Sequence, residues 1–164
     1  MKKLENKVAI ITGAAAGLGK SIALLFAAEG SKVVAADINV SALELLQEEI
    51  VNAGGIITTI VTDMAKEEDI DALFNTALAA YGAVDILINN AGVMDQFDPV
   101  ADVDNATWER VMAINVTGPF KAMRKAVQLM LPAGKGSIVN VASVGGLQGA
   151  RAGAAYTTSK HALI

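Results

Sequence analysis

Thr12-Gly13-Ala14-Ala15-Ala16-Gly17-Leu18-Gly19 is the stretch on which the fold turns. Ahead of it, Lys7-Val8-Ala9-Ile10-Ile11 is a short β-branched run that reads as a buried strand. Behind it, Lys20 to Glu29 carries apolar residues at helical spacing, and Gly30 stops the pattern. The order is strand, glycine-rich turn, helix. Glycines at 13, 17 and 19 permit a tight turn and a close approach of ligand to backbone. A helix opening there presents free N–H groups and a positive dipole end, which suits a pyrophosphate. The residues Ala16 and Leu18 share that turn. The spacing is Gly-x-x-x-Gly-x-Gly, and a turn that binds nothing is the plain alternative.

The second strand raises the case for a dinucleotide. Ser31-Lys32-Val33-Val34-Ala35-Ala36 ends in Asp37, with Ile38 next. An acid at the end of the second strand can accept both ribose hydroxyls of an adenosine. The helix Ser41 to Ala53 follows closely, so Asp37 can also be a cap or loop acid. The glycine turn tips the balance towards ribose. Neither Ile38-Asn39 nor Ala14-Ala15-Ala16 brings a positive charge for a 2′-phosphate, and Lys20 lies beyond the turn on the helix. NAD is therefore expected over NADP.

Ile56 to Val61 reads as a third strand, followed by Thr62-Asp63-Met64. Asp63 either reaches an adenine ring or begins the next helix. Glu67 to Ala80 is amphipathic, with Ile70, Leu73, Phe74, Ala77 and Leu78 inward. Val84 to Ile88 is a fourth strand running into Asn89-Asn90-Ala91-Gly92. Those asparagines can tie neighbouring strands or line a crevice. Asp95 to Val103 reads as loop. Thr107 is the expected N-cap of a long helical pattern from Trp108 to Leu131. Pro119 interrupts that pattern near Asn115. Read from the residues alone, Asn115 is a polar side chain on a helix surface.

Ser137 to Ala142 is a fifth strand ending at Ser143. Gly13, Asp37, Asn89 and Ser143 all follow strands, so they converge on the rim where open α/β sheets bind ligands. The tail from Ala150 to Ile164 opens a helix with Tyr156 and Lys160 one turn apart on one face. A free phenol, with a pKa near ~10, is a poor acid or base at neutral pH. A neighbouring ammonium favours the phenolate and makes it usable. Ser143 can offer a hydroxyl to a substrate oxygen.

Composition sets the remaining bounds. Hydrophobic residues make up 53% and aromatics only 4% of the 164 residues, so the apolar mass is aliphatic and suits buried parallel strands between Ala-rich helices. A mean hydropathy of +0.45 points to apolar surface that partner subunits or further chain would cover. The net charge of -4, with no basic block, argues against nucleic acid. With no cysteine and a single histidine, His161, no metal site is expected. No apolar run approaches a membrane span, and the N-terminus lacks the apolar core of a signal peptide, so a cytoplasmic location is expected.

Taken together, these motifs resemble the short-chain dehydrogenase/reductase family, in order and over the whole chain. Thr12-Gly13-x-x-x-Gly17-x-Gly19 resembles its cofactor turn. Asn89-Asn90-Ala91-Gly92 resembles its post-strand motif. Asn115, Ser143, Tyr156 and Lys160 resemble its catalytic tetrad. The resemblance implies an α/β, doubly wound parallel-sheet Rossmann fold with three α/β/α layers. It implies one NAD(P)-binding domain over residues 1–164 that contacts cofactor through Gly13, Ala16, Gly17, Leu18, Gly19, Asp37, Ile38, Asp63, Met64, Asn90, Ala91, Gly92, Tyr156 and Lys160. Tyr156 would be the general acid/base, Ser143 would hold the substrate oxygen, and Lys160 would bind the nicotinamide ribose. Asn115 would hold a relay water. The implied activity interconverts a secondary alcohol and a ketone by hydride transfer, on a 3-oxoacyl thioester, sugar or polyol, in a homotetramer or dimer. A dinucleotide-binding protein without turnover, or a lyase or epimerase on the same fold, are the alternatives. Members of the family continue with two more strands, and nothing near Ile164 looks like a helix stop. The expectation is a domain incomplete at its C-terminus.

Overall fold

The computed structural model describes residues 2–164. Five strands form one sheet: β1 (Val8–Thr12), β2 (Lys32–Asp37), β3 (Ile56–Val61), β4 (Ile86–Asn89) and β5 (Ser137–Asn140). Their spatial order is β3-β2-β1-β4-β5, and every neighbouring pair is parallel. The chain winds outward from β1 to β3, then returns to the other side of β1. The switch point therefore lies between β1 and β4, where Ile10 pairs with Val34 on one side and Leu87 on the other. That crevice is where a doubly wound sheet binds its ligand.

Parallel strands need helical crossovers, and the helices cover both faces. On one face, α1 (Gly17–Ala28) and α2 (Val40–Asn52) bury Ala23, Ala27, Leu43, Leu46 and Ile50 against Ile11, Val33 and Ile88. On the other, α3 (Glu67–Tyr81) and α5 (Gly118–Ala133) bury Ile70, Leu73, Phe74, Ala122, Ala126 and Met130 against Ile10, Val34 and Leu87. Alternate residues of β1 thus serve opposite cores. Each fully buried Ile, Leu or Val contributes roughly 1.5–3 kcal/mol relative to exposure. The sixth helix, α6 (Ala154–Leu163), packs against α4 (Asn105–Met112) and the turn that follows it.

Several elements depart from the sequence expectation. The long pattern from Trp108 to Leu131 is not one helix. It is α4, a wide π-turn over Ala113–Thr117, and α5. Pro119 lacks an N–H and cannot close the α-helical bond to the Asn115 carbonyl, so the chain opens where it would fall. Asp104, not Thr107, is the N-cap: its carboxylate accepts the Thr107 N–H at 2.6 Å, which places Thr107 three residues inside. β5 stops at Asn140, three residues short of Ser143. β4 starts at Ile86, because the Asp85 carboxylate turns aside to accept the Val8 N–H at 3.0 Å and pair with Lys135 at 2.9 Å. Among the described residues no helix is long and apolar enough to cross a membrane.

Candidate active site

The glycine turn is held from behind by β4. The Thr12 hydroxyl accepts the N–H groups of Asn90 and Ala91, each at 3.1 Å. The Asn90 side chain donates to the carbonyls of Thr12 and Gly13, each at 3.0 Å. Of the two asparagines, Asn89 thus ties β4 to Asn140 at 2.9 Å, while Asn90 fixes the turn. Gly19 is closed in: a Cβ there would strike the Gly13 carbonyl oxygen and come within 2.5 Å of the Asn90 amide nitrogen. Gly17 is the opposite case. Its φ is +52°, and a Cβ would meet no protein atom within 4 Å. The opening turn of α1 carries no side-chain cap and no acid, so its N–H groups face open space. This is a cradle for an anion at the point where the sequence placed a pyrophosphate. Ala16, Gly17 and Leu18 lie on that turn, and all three are exposed.

Beside the turn, a cavity of about 420 Å³ opens at the sheet's switch point. Gly13, Asp37, Ile38, Asp63, Met64, Ala91 and Gly92 line it, all of them expected cofactor contacts. Arg110 and Ile114, which the sequence reading did not single out, line it as well. The Asp37 carboxylate is aimed by two backbone donors, Ala15 N–H and Asn39 N–H, each at 3.0 Å. Asn39, not Asp37, caps α2, accepting the Ala42 N–H at 3.1 Å. Asp63 does serve a turn: its carboxylate accepts the Ala65 N–H at 2.9 Å while it borders the cavity.

The four tetrad candidates meet at the other end of the crevice. The Lys160 Nζ stands 5.7 Å from the centroid of the Tyr156 ring, as one turn of α6 requires. It donates to the Val141 carbonyl at 2.9 Å. Only 4% of Lys160 is exposed, and burial pushes its ammonium below the ordinary lysine range. A Cβ built on Gly145 would lie 3.5 Å from both the Ser143 Oγ and the Tyr156 ring edge, so hydroxyl and phenol border one small space. A Cβ on Gly92 would lie 3.4 Å from both the Asn115 Oδ1 and the Lys160 Nζ. The two ends of the site therefore join at Gly92.

Asn115 overturns the surface reading: its exposure is 0%. Its amide points inward, where it accepts the Val93 N–H at 2.8 Å and donates to the Val93 carbonyl at 3.0 Å. It also donates to the Ser159 hydroxyl at 3.0 Å, which in turn donates to the Tyr156 carbonyl at 2.7 Å. One buried amide thus links the β4 loop to the helix carrying Tyr156 and Lys160. The sequence reading quoted Thr12 in the glycine motif without giving it a role, and it missed Ser159 and Asp95. Ser159 adjoins Lys160, and adjacency was the available signal.

Comparison with known proteins agrees with this geometry. The family model described as short chain dehydrogenase matches residues 7–164. The chain is 38% identical over 162 residues to 3beta-hydroxysteroid dehydrogenase 2 of Eggerthella lenta, covering 98% of this chain and 62% of that protein. It is 39% identical over 159 residues to cyclohexanol dehydrogenase of an Acinetobacter species, covering 97% and 63% respectively. The crystal structure of a metagenomic short-chain oxidoreductase in complex with NADP superposes with a TM-score of 0.93 at 36% identity, over 98% of this chain and 72% of that one. That of NAD+-bound xylitol dehydrogenase gives 0.93 at 36%, over 98% and 62%. The chain spans about three-fifths of the length of the curated relatives it matches. A family model covering nearly every residue, with relatives superposing at a TM-score of 0.93, decides the matter: this chain belongs to the short-chain dehydrogenase family.

Proposed function

We propose that residues 1–164 act as a single NAD(P)-binding domain of an oxidoreductase that interconverts a secondary alcohol and a ketone, with NAD preferred. The observation that carries this is the meeting of the Ser143 hydroxyl and the Tyr156 ring at Gly145, with the Lys160 ammonium over the same ring.

The residues fit a nicotinamide dinucleotide. The open Gly17 and the uncapped start of α1 suit its pyrophosphate. Each Asp37 oxygen takes one backbone N–H and keeps a lone pair for a ribose hydroxyl. Asp63 and Met64 border the space for adenine, Ala91 and Gly92 form the wall towards nicotinamide, and Asn90 holds the glycine turn behind it. When bound, the cofactor supplies or accepts the hydride.

The chain's own part is proton transfer and orientation. The Ser143 Oγ accepts the Gly145 N–H at 3.1 Å, which leaves its proton free for the substrate oxygen. Tyr156 takes the hydroxyl proton in oxidation and returns it in reduction. Lys160 uses one of its three N–H donors on Val141, leaving two for the nicotinamide ribose and the approach to Tyr156. Asn115 fixes the turn around this group through its side chain, and its backbone carbonyl, which Pro119 cannot serve, would hold a relay water.

A homo-oligomer, dimer or tetramer, accounts for the exposed Trp108, Phe120, Val127 and Leu131 along α4 and α5. Sedimentation checks this, since a monomer at high micromolar concentration excludes it. A cytoplasmic location goes with a chain that has no cysteine to oxidise.

Tyr156→Phe tests the catalytic reading. Turnover is followed at the reduced-nicotinamide absorbance band with cyclohexanol, a hydroxysteroid, a polyol and a 3-oxoacyl thioester. The expected loss is about 10²–10⁴-fold in kcat, with cofactor affinity within about twofold. A variant that keeps most of its kcat sinks the assignment. Cofactor binding without turnover on any substrate favours the binding-protein alternative.

A further inference from the structure

One set of contacts between the β4 loop and α6 lies outside the reacting groups. Asp95 is 0% exposed. Its Oδ2 accepts the Tyr156 N–H at 2.7 Å, and its Oδ1 accepts the Phe97 N–H at 3.3 Å. The Asp98 carbonyl accepts the Ala154 N–H at 2.9 Å. The helix begins at Gly153, which has no side chain to cap it. The β4 loop thus satisfies two N–H groups of the first turn of α6 from across the sheet rim.

The loop bends sharply to do so. Gln96 and Phe97 have φ of +59° and +67°, a left-handed backbone that side chains disfavour. Among the described residues no cation lies within ion-pair distance of Asp95. A buried carboxylate without a cation is costly. It is sustained by two backbone donors and the positive end of the helix. Gly153 completes the fit: a Cβ there would lie 2.5 Å from both carboxylate oxygens.

We propose that Asp95 is a positioning residue for Tyr156, setting the height of the phenol against the Ser143 hydroxyl by holding the N–H of the same residue. Its catalytic consequence rests on the function proposed above; its effect on the place of Tyr156 does not. A displacement of about 1 Å at a reacting group can cost about 10²-fold in rate.

The chain has two tyrosines, Tyr81 and Tyr156, so 3-fluorotyrosine labelling gives two fluorine resonances. Tyr81→Phe assigns them. In Asp95→Ala the Tyr156 resonance should shift or broaden while that of Tyr81 stays. Asp95→Asn, which keeps an acceptor oxygen, should restore the wild-type position. Gly153→Ala, at a φ of -68° that alanine accepts freely, should push the carboxylate off and resemble Asp95→Ala. In the turnover assay, Asp95→Ala should lose about 10- to 100-fold in kcat with cofactor affinity within about twofold, and Asp95→Asn should regain most of it. An unchanged Tyr156 resonance in Asp95→Ala overturns the proposal, as does an equal kcat loss in Asp95→Asn and Asp95→Ala. If the wild type turns over nothing yet the resonance moves as described, the positioning stands and the proposed reaction falls.

Discussion

Asn115 and Val93 are joined like two residues of a strand ladder, with the Asn115 amide accepting the Val93 N–H at 2.8 Å and donating to the Val93 carbonyl at 3.0 Å. A side chain on a helix thereby takes the place of a sheet neighbour for the residue that follows Asn90-Ala91-Gly92. The loop beyond β4 has no strand to pair with at that point, and its backbone groups need partners.

Asn115→Ala would leave the Val93 N–H, the Val93 carbonyl and the Ser159 hydroxyl short of a partner. An orphaned polar group costs about 1–3 kcal/mol when buried, and water reaches Val93 in part. The expected loss is about 2–4 kcal/mol, read as a lower midpoint in urea with an unchanged slope. A loss under about 1 kcal/mol would mean that the loop finds other partners. Turnover should fall as well, because the same amide steadies the helix of Tyr156 and Lys160.

Lys160 separates stability from function. Burial holds its ammonium below the ordinary lysine range, so between its folded value and the value in the unfolded chain the unfolded state binds more protons. Stability therefore rises with pH through that window, and the burial cost is fully felt below it. Lys160→Met removes the buried charge while keeping an unbranched chain. Its Tm at neutral pH should match or exceed that of the wild type, its kcat should fall by at least about 10²-fold, and the rise of stability in the alkaline window should disappear. A lower Tm with that rise intact would show that the ammonium is a net stabiliser through Val141.

The parts of this site that were legible in the sequence share one property. Gly13, Asp37, Asn89 and Ser143 were read as one rim because each follows an apolar run closely; the strand order carried three of them there, while Asn89 ties β4 to Asn140 and its neighbour Asn90 holds the turn. Tyr156 and Lys160 were legible because helical spacing fixes their relation. Asn115 was misread: it stands four residues from the buried Val111 and four from the buried Pro119, so helical spacing already set it on the inward face, while its polarity argued for the surface. Thr107 was the expected cap, and the bond its N–H gives the Asp104 carboxylate shows that the helix begins three residues earlier. Asp95 bonds a residue 61 positions away and sits in no periodic pattern, so nothing local announced it.

The choice of cofactor follows from what surrounds Asp37. Its carboxylate is fixed by the N–H groups of Ala15 and Asn39, and it lines the cavity proposed above for the adenosine ribose. Lys20 pairs with Glu49 on α2 at 2.8 Å, and the Arg110 guanidinium donates to the Met94 carbonyl at 3.1 Å. Among the described residues no cation pairs with Asp37, so a 2′-phosphate there would meet an unpaired carboxylate. Two unit charges ~4 Å apart repel by roughly 4 kcal/mol at an effective dielectric of 20 and by about 1 in bulk water. Because Asp37 is half-buried, the penalty falls between these, or roughly 5- to 10³-fold against NADP. NAD also gains the two hydroxyl bonds that a 2′-phosphate forfeits in part. Asp37→Ser removes the repulsion and one aimed acceptor together, so kcat/KM should fall with NAD and hold or rise with NADP. Asp37→Asn, which keeps the shape, separates charge from geometry: if repulsion dominates, it should recover most of the change in the cofactor ratio. Equal use of NADP by the wild type, or an unchanged ratio in Asp37→Ser, would mean that this carboxylate does not face the ribose.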